Sequence, residues 1–280
     1  MFGLDFIPNP LEGAPFGTAL EVSLIIAFAG WLLSLIDRES GWIDRLWPIC
    51  PPVFCLIVAF ATGIEWARVN VMTLLVVLWG ARLTHNFARK GGYRKGDEDY
   101  RWAHLREKMS PALFQVLSIT FIYPVQLVLL WLLVSPVHRA WEFGDAPLGG
   151  LDYLAAGLFF VLLIGQAIAD NQQWNFQEDK KRRIAAGEEV ERPFLTTRLF
   201  RYSRHPNYFC EIAMWCVFYL FSVAASGQWL HWTGLGCIGL ILLIIPSLRM
   251  TEALSAAKYP AYSDYQATTS PLIPFPPRGK

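Results

Sequence analysis

The densest run of chemically capable side chains lies between Arg198 and Trp215: Arg-Leu-Phe-Arg-Tyr-Ser-Arg-His-Pro-Asn-Tyr-Phe-Cys-Glu-Ile-Ala-Met-Trp. Arg201, Arg204 and His205 come just ahead of Pro206, where an apolar stretch begins. Proline suits the first turn of a helix, because the N–H it lacks would have no partner there. A helix N-terminus presents unbonded N–H groups and a partial positive charge, so it favours phosphate or carboxylate. Arginines beside it add two-pronged donors for the same anion. Asn207 and Glu211 are four apart and share one face of that helix. A carboxylate where a helix enters a membrane must be paired or hydrogen-bonded. Glu211 is therefore expected to meet an arginine or ligand hydroxyls, the alternative being an ion pair that closes a loop. A second polar group follows the last apolar block: Arg249-Met-Thr-Glu252, then Lys258-Tyr259-Pro260-Ala261-Tyr262-Ser263-Asp264-Tyr265. Arg249 and Glu252 share a face, and tyrosines in such a tail commonly form a belt at the lipid headgroups.

The elements that must position these groups are membrane helices. Of the 280 residues 54% are hydrophobic and 17% charged, where a soluble domain carries about a quarter charged. A bilayer core needs about 20 apolar residues per helix. Apolar blocks near 17–36, 49–64, 69–86, 111–134, 150–169, 208–226 and 229–248 predict an all-α, polytopic bundle of about seven transmembrane helices, one domain over residues 1–280. The second block is short and opens on Pro51-Pro52, which suits a helix start. Long polar loops are expected at about 87–110 and 170–207, with a tail over 249–280.

Lysines and arginines set the orientation. With seven helices, one side receives Arg38 and Arg45, seven basic residues from Arg89 to Lys108, eight from Lys180 to Arg204 and four in the tail. The other side receives Arg68 and Arg139. The expectation is an N-terminus outside, a C-terminus in the cytoplasm, and the chemistry-bearing loops on the cytoplasmic face. Met1 to Thr18 contains no Lys or Arg, so it lacks the basic start of a signal peptide and the first block reads as an uncleaved helix.

Several readings are excluded or set aside. The net charge of +1 gives no footing for a nucleic-acid partner. Cys50, Cys55, Cys210, Cys216 and Cys237 form no C-x-x-C pair and lie in apolar surroundings, so they read as buried small hydrophobes rather than disulfides or metal ligands. Gly234-Leu235-Gly236-Cys237-Ile238-Gly239 fits G-x-G-x-x-G, but that fingerprint needs a preceding strand. In a membrane helix, small residues instead let neighbouring helices approach. Lys180-Lys181-Arg182-Arg183 reads as a solvated topology determinant.

The run Tyr202-Ser203-Arg204-His205-Pro206-Asn207-Tyr208-Phe209-Cys210-Glu211-Ile212, with the Lys-Tyr-Pro-x-Tyr tail, resembles the C-terminal half of the steroid 5-alpha-reductase family, in its broad and mostly bacterial branch. Trp79-Gly80-Ala81-Arg82-Leu83 and Gly96-Asp97-Glu98-Asp99-Tyr100-Arg101-Trp102 resemble the same branch, so the likeness covers roughly residues 75–275. It implies a seven-helix fold that holds NADPH among the cytoplasmic ends of the later helices. It further implies reduction of a carbon–carbon double bond conjugated to a carbonyl in an apolar, lipid-like substrate. By the same likeness, Asn207 and Glu211 would contact the nicotinamide or ribose, and Gln166 and Asp170 would play a similar part. Arg201, Tyr202, Arg204, His205 and Tyr208 belong to the block that flanks the phosphates, and Arg249 with Glu252 would close the pocket. The family's Gln-Glu pair has no counterpart in 49–66, and Trp79 stands where a tyrosine would align. Glu65 and Tyr123 are the substitutes the sequence offers for polarising the substrate carbonyl.

Two other classes remain open. Membrane methyltransferases of the prenylcysteine or phospholipid type carry a similar Arg-His-Pro-x-Tyr block and bind S-adenosylmethionine. A transporter or membrane scaffold would more often show an internal repeat and ionisable residues near mid-membrane, whereas Glu21, Arg82 and His231 all fall near helix ends. Charge separates the two enzymes. NADPH carries about four negative charges and needs several cations, and Arg192, Arg198, Arg201 and Arg204 fall within thirteen residues. Oligomeric state leaves no mark in the sequence.

Overall fold

The computed structural model describes residues 14–96, 98, 100–190 and 193–278. Arg192, and Asp97 and Asp99 of the segment before Tyr100, lie outside them. The fold is all-α. In chain order the helices are α1 (Pro15–Asp37), α2 (Trp42–Leu46), α3 (Cys50–Ala61), α4 (Ala67–Arg89), α5 (Tyr100–Glu107), α6 (Pro111–Leu133), α7 (Ser135–Glu142), α8 (Gly150–Ala185), α9 (Pro206–Ser226), α10 (Leu235–Lys258) and α11 (Tyr262–Thr268). Among the described residues, six helices are long and apolar enough to cross a membrane: α1, α4, α6, α8, α9 and α10 with the turn before it. Large apolar side chains face outward along them, among them Ile25, Ile36, Val161 and Leu242. Such a surface is costly in water and ordinary in lipid. The chain is a multi-pass membrane protein.

The helix starts follow the expected chemistry. Proline occupies the first turns of α1, α3 and α6, and the Ser110 hydroxyl accepts the Leu113 N–H ahead of α6. Within α6, Pro124 has no N–H to continue the ladder, and the Tyr123 N–H reaches five residues back to Ser118 O. A single wide turn at 118–122 absorbs the defect, a known way for a helix to keep going past a disruption.

Contacts divide the chain into two compact units, Met1–Ala156 with Val217–Gly239, and Gly157–Cys216 with Leu240–Lys280. In the first, Phe16 at the start of α1 stacks on Trp131 at 4.2 Å and on His138 at 4.9 Å, and the Trp131 indole donates to Phe16 O. Close helix approach depends on glycine. A Cβ on Gly80 of α4 would lie 2.5 Å from Pro52, and one on Gly239 would lie 2.6 Å from Leu129. Gly236 likewise faces the Leu132 backbone. The G-x-G-x-x-G run thus serves packing, as its place in an apolar helix predicts.

The block expected at 49–64 is a helix of only 12 residues, about 18 Å long, which is shorter than the ~30 Å hydrocarbon core. It still travels with α4. Arg45 on α2 donates to Gly92 O and Arg94 O, the Gly96 N–H donates to Glu39, and Trp102 Nε1 donates to Asp44. The segment after α1 therefore meets the segment after α4, so α3 and α4 go out and return as an antiparallel pair. The other ends of this unit are tied together as well. Arg68 at the start of α4 holds Asp152 at the start of α8, and Arg139 on α7 donates to Gln228 after α9.

Other boundaries differ from expectation. Residues 170–185, expected as loop, continue α8 without a break, and α10 runs ten residues past the expected 248. Polar residues can extend a helix out of a membrane, and only hydropathy stops at the boundary. The expected 87–110 loop contains α5, and the tail contains α11. Cys50, Cys55 and Cys210 are buried, Cys237 is half-buried and Cys216 is exposed. The reading of all five as buried fails at Cys216, whose outward place on an apolar helix suits lipid as well as a core would.

Candidate functional site

The second unit gathers most of the singled-out residues, in two groups. The first is built around Glu252 on α10. Its Oε1 accepts from Arg204 Nε at 2.7 Å, Tyr262 Oη at 3.0 Å and bonds His205 Nε2 at 2.9 Å. Its Oε2 accepts from Arg204 Nη2 at 2.5 Å and Gln266 Nε2 at 3.0 Å. Arg204 is 9% exposed and Glu252 8%. The remaining arm of Arg204 donates to the carbonyls of Gln266 and Thr269. Both charges are buried, paired and saturated, the condition under which a buried ion pair is tolerated.

This knot ties the tail to the start of α9. The Arg204 N–H bonds Ser270 O, the Phe275 N–H bonds Tyr202 O, and Ser203 Oγ donates to Leu272 O. Phe194 packs against Tyr259, Tyr262 and Tyr265. The Tyr265 hydroxyl donates to Phe200 O. Burial, and then the neighbouring Glu252 charge, raises the Tyr262 phenol above its ordinary range. A headgroup belt was the expectation for these tyrosines. Tyr262 and Tyr265 are instead buried anchors whose hydroxyls find partners, as buried phenols must, and only Tyr259 stays near solvent beside Lys180 and Lys258.

The second group is a polar row between α8 and α9. Gln166 Nε2 donates to Glu211 Oε2 at 2.6 Å, Trp215 Nε1 donates to Glu211 Oε1 at 2.9 Å, and Asn207 Nδ2 donates to Asp170 Oδ1 at 3.3 Å. Gln166 and Asp170 stand one turn apart on α8, as do Asn207, Glu211 and Trp215 on α9, so the two ladders face each other. The helices come close here because Gly165 lies against Cys210 Sγ. Glu211, Asp170 and Gln166 are buried. Glu211 was expected to meet an arginine or a ligand; an amide and an indole are among its donors. One atom in the row lacks a partner. Gln166 Oε1 is buried and accepts no hydrogen bond among the described residues. Turning the amide over would aim that oxygen at the Glu211 carboxylate, and that repulsion fixes the orientation.

The other expected residues are placed as follows. Arg198 and Arg201 lie on a short 3-10 turn ahead of α9, exposed and without partners among the described residues, and Tyr202 after them is exposed. Tyr208 stacks on His205 at 5.5 Å. Arg249 is exposed and does not join Glu252. In the first unit, Glu65 is exposed on the turn before α4, and Tyr123 is buried with its hydroxyl donating to Ser40 O at 3.3 Å. The sequence reading did not anticipate Trp215, although an indole four residues after a buried carboxylate is the signal that could have found it.

A family described as "Protein of unknown function (DUF1295)" matches residues 30–269. A protein of Schizosaccharomyces pombe described as uncharacterized is 35% identical over 289 residues, covering 97% of this chain and 83% of that protein. No solved structure matches the chain.

Proposed function

We propose that this chain, which belongs to the DUF1295 family, is a membrane-embedded NADPH-dependent reductase of a carbon–carbon double bond conjugated to a carbonyl in an apolar, lipid-like molecule. The observation that carries the reading is the orphaned Gln166 Oε1 in a row of buried acceptors, one helical turn from the Arg-His-Pro-Asn-Tyr block. A buried acceptor without a donor is costly unless something supplies one. The carboxamide N–H of a nicotinamide is such a donor, and Asp170 and Glu211 are acceptors for ribose hydroxyls. Arg198, Arg201 and Arg249 are exposed and make no ion pair among the described residues, which leaves them available for phosphates. The Arg204–Glu252 knot takes no phosphate in this reading; it fixes the loop that places Asn207. When bound, NADPH supplies a hydride, and the chain's own residues bind, orient and shield it.

The account also orients the protein with its C-terminus in the cytoplasm, where NADPH is found. The Lys/Arg imbalance supports this, and so does the α3–α4 pair, which keeps the seven-segment alternation despite the shortness of α3. A reporter fused at the C-terminus, or near Arg94, should read cytoplasmic; an external signal at the C-terminus would reverse the topology.

Two substitutions test the site. Arg201→Ala removes a side chain with no partner among the described residues, so melting in detergent should not change while NADPH affinity falls about tenfold, or about 1.4 kcal/mol. Gln166→Leu should weaken binding by about 1–3 kcal/mol. Unchanged affinity in both would remove the row from the cofactor site.

A second reading rests on charge. Asp170 and Glu211 bring two buried carboxylates to the row. That suits the positively charged S-adenosylmethionine of a membrane methyltransferase.

A further inference from the structure

In the first unit a cavity of about 370 Å³ opens beside the buried pair of Arg68 and Asp152, walled by Pro147, Gly149, Ala224 and Trp229. Arg68 is 4% exposed and Asp152 2%. Arg68 Nε donates to Asp152 Oδ1 at 2.8 Å, and Nη2 donates to Asp152 Oδ2 at 2.9 Å and to Pro147 O at 3.2 Å. The Gly149 N–H also donates to Asp152 Oδ2, at 2.8 Å. The third nitrogen of the fork, Nη1, is buried and has no acceptor among the described residues. Buried donors in folded proteins nearly always find an acceptor. One water needs only ~10–15 Å³ of such space, so this cavity admits a much larger guest.

Charge narrows what that guest is. Arg68 and Asp152 already neutralise each other, so a phosphate or carboxylate would bring an unmatched negative charge into a buried site. An uncharged acceptor oxygen satisfies Nη1 without that cost. The walls are otherwise apolar, from Leu151, Val223, Ala224 and Trp229. Trp229 is 66% exposed and Leu230 88%, on the turn after α9. An exposed tryptophan at the end of a membrane helix marks the depth where headgroups meet acyl chains. We propose that this cavity binds the carbonyl-bearing head of an uncharged lipid, with Arg68 Nη1 donating to the ester or ketone oxygen and the chain leaving past Trp229. The site is independent of the cofactor reading and stands or falls without it.

The test is photolabelling of the intact protein in phosphatidylcholine vesicles with a monoacylglycerol that carries a diazirine near its ester. Label should map to the peptides around 147–152 and 223–229, and excess unlabelled monoacylglycerol should displace it. Arg68→Lys retains a cation for Asp152 but lacks the second arm, and should lower labelling about tenfold. Ala224→Leu fills the cavity and should do the same with an unchanged melting temperature, which keeps the test decisive if Arg68→Lys fails to fold. Labelling as strong in Ala224→Leu as in the unaltered protein would overturn the proposal. So would displacement by inorganic phosphate or phosphatidic acid but not by monoacylglycerol, which would assign the cavity to an anion. Absence of displaceable label would assign it to water alone.

Discussion

Replacing Glu252 with alanine should cost about 3–5 kcal/mol, the scale for removing one partner of a buried ion pair. Arg204 would stay buried with two carbonyls and no carboxylate, and His205, Tyr262 and Gln266 would each lose an acceptor. Because that knot fastens residues 266–275 to the start of α9, the loss should appear as two signals together. The melting temperature in mild detergent should fall, and the tail after Tyr259 should become open to limited proteolysis. Glu252→Gln keeps the shape and one acceptor oxygen and should lose less. A tail that stays protected in Glu252→Ala would mean that backbone contacts such as Arg204 N–H to Ser270 O suffice to hold it.

Asp152→Ala should be equally severe, again about 3–5 kcal/mol, for the same reason. Among the described residues, Arg68 would keep only the Pro147 carbonyl as an acceptor. The first turn of α8 would also lose the carboxylate that takes the Gly149 N–H. The contrast is with Glu178 and Lys181 on the exposed part of α8, where side chains are 45% and 71% exposed. Breaking that pair should cost about 0–1 kcal/mol, because water replaces what is lost. Thermal unfolding of the two alanine variants, Asp152→Ala and Glu178→Ala, in one detergent gives the comparison. Equal small losses would mean that the Arg68 pair is better hydrated than its burial implies.

Hydropathy located the membrane helices well, because a run of about 20 apolar residues has no other economical use. It located their ends poorly. Asn171 to Lys180 contains Gln, Glu and Lys, which favour helix as strongly as many apolar residues do, and yet they read as loop because hydropathy marks the membrane, not the helix. The ion pairs of Glu178 with Lys181 and Asp179 with Arg182, three apart, are the local signal that the helix continues. At the site, the residue types were legible and the pairings were not. Arg204 and Glu252 were both picked out, but 48 residues separate them and nothing in either segment says that they meet. Arg249 looked equally suited to Glu252 and is exposed instead. In the sequence Arg68 reads as a lone charge on the sparsely basic side, and nothing local to Asp152 marks it as its partner. An arginine and an aspartate at the edges of two apolar blocks must each find a partner or face water, and that rule could have joined them.

The central claim is that a nicotinamide cofactor with a 2′-phosphate binds the row of Gln166, Asp170, Asn207 and Glu211 with help from exposed arginines. Calorimetric titration of the purified protein with NADPH, NADH and S-adenosylmethionine tests it most directly. The account predicts NADPH at least about tenfold tighter than NADH, or about 1.4 kcal/mol, with affinity falling as salt screens the phosphate contacts. Binding of S-adenosylmethionine with no response to either nicotinamide cofactor would contradict it, and would assign the acidic row to a sulfonium ligand instead.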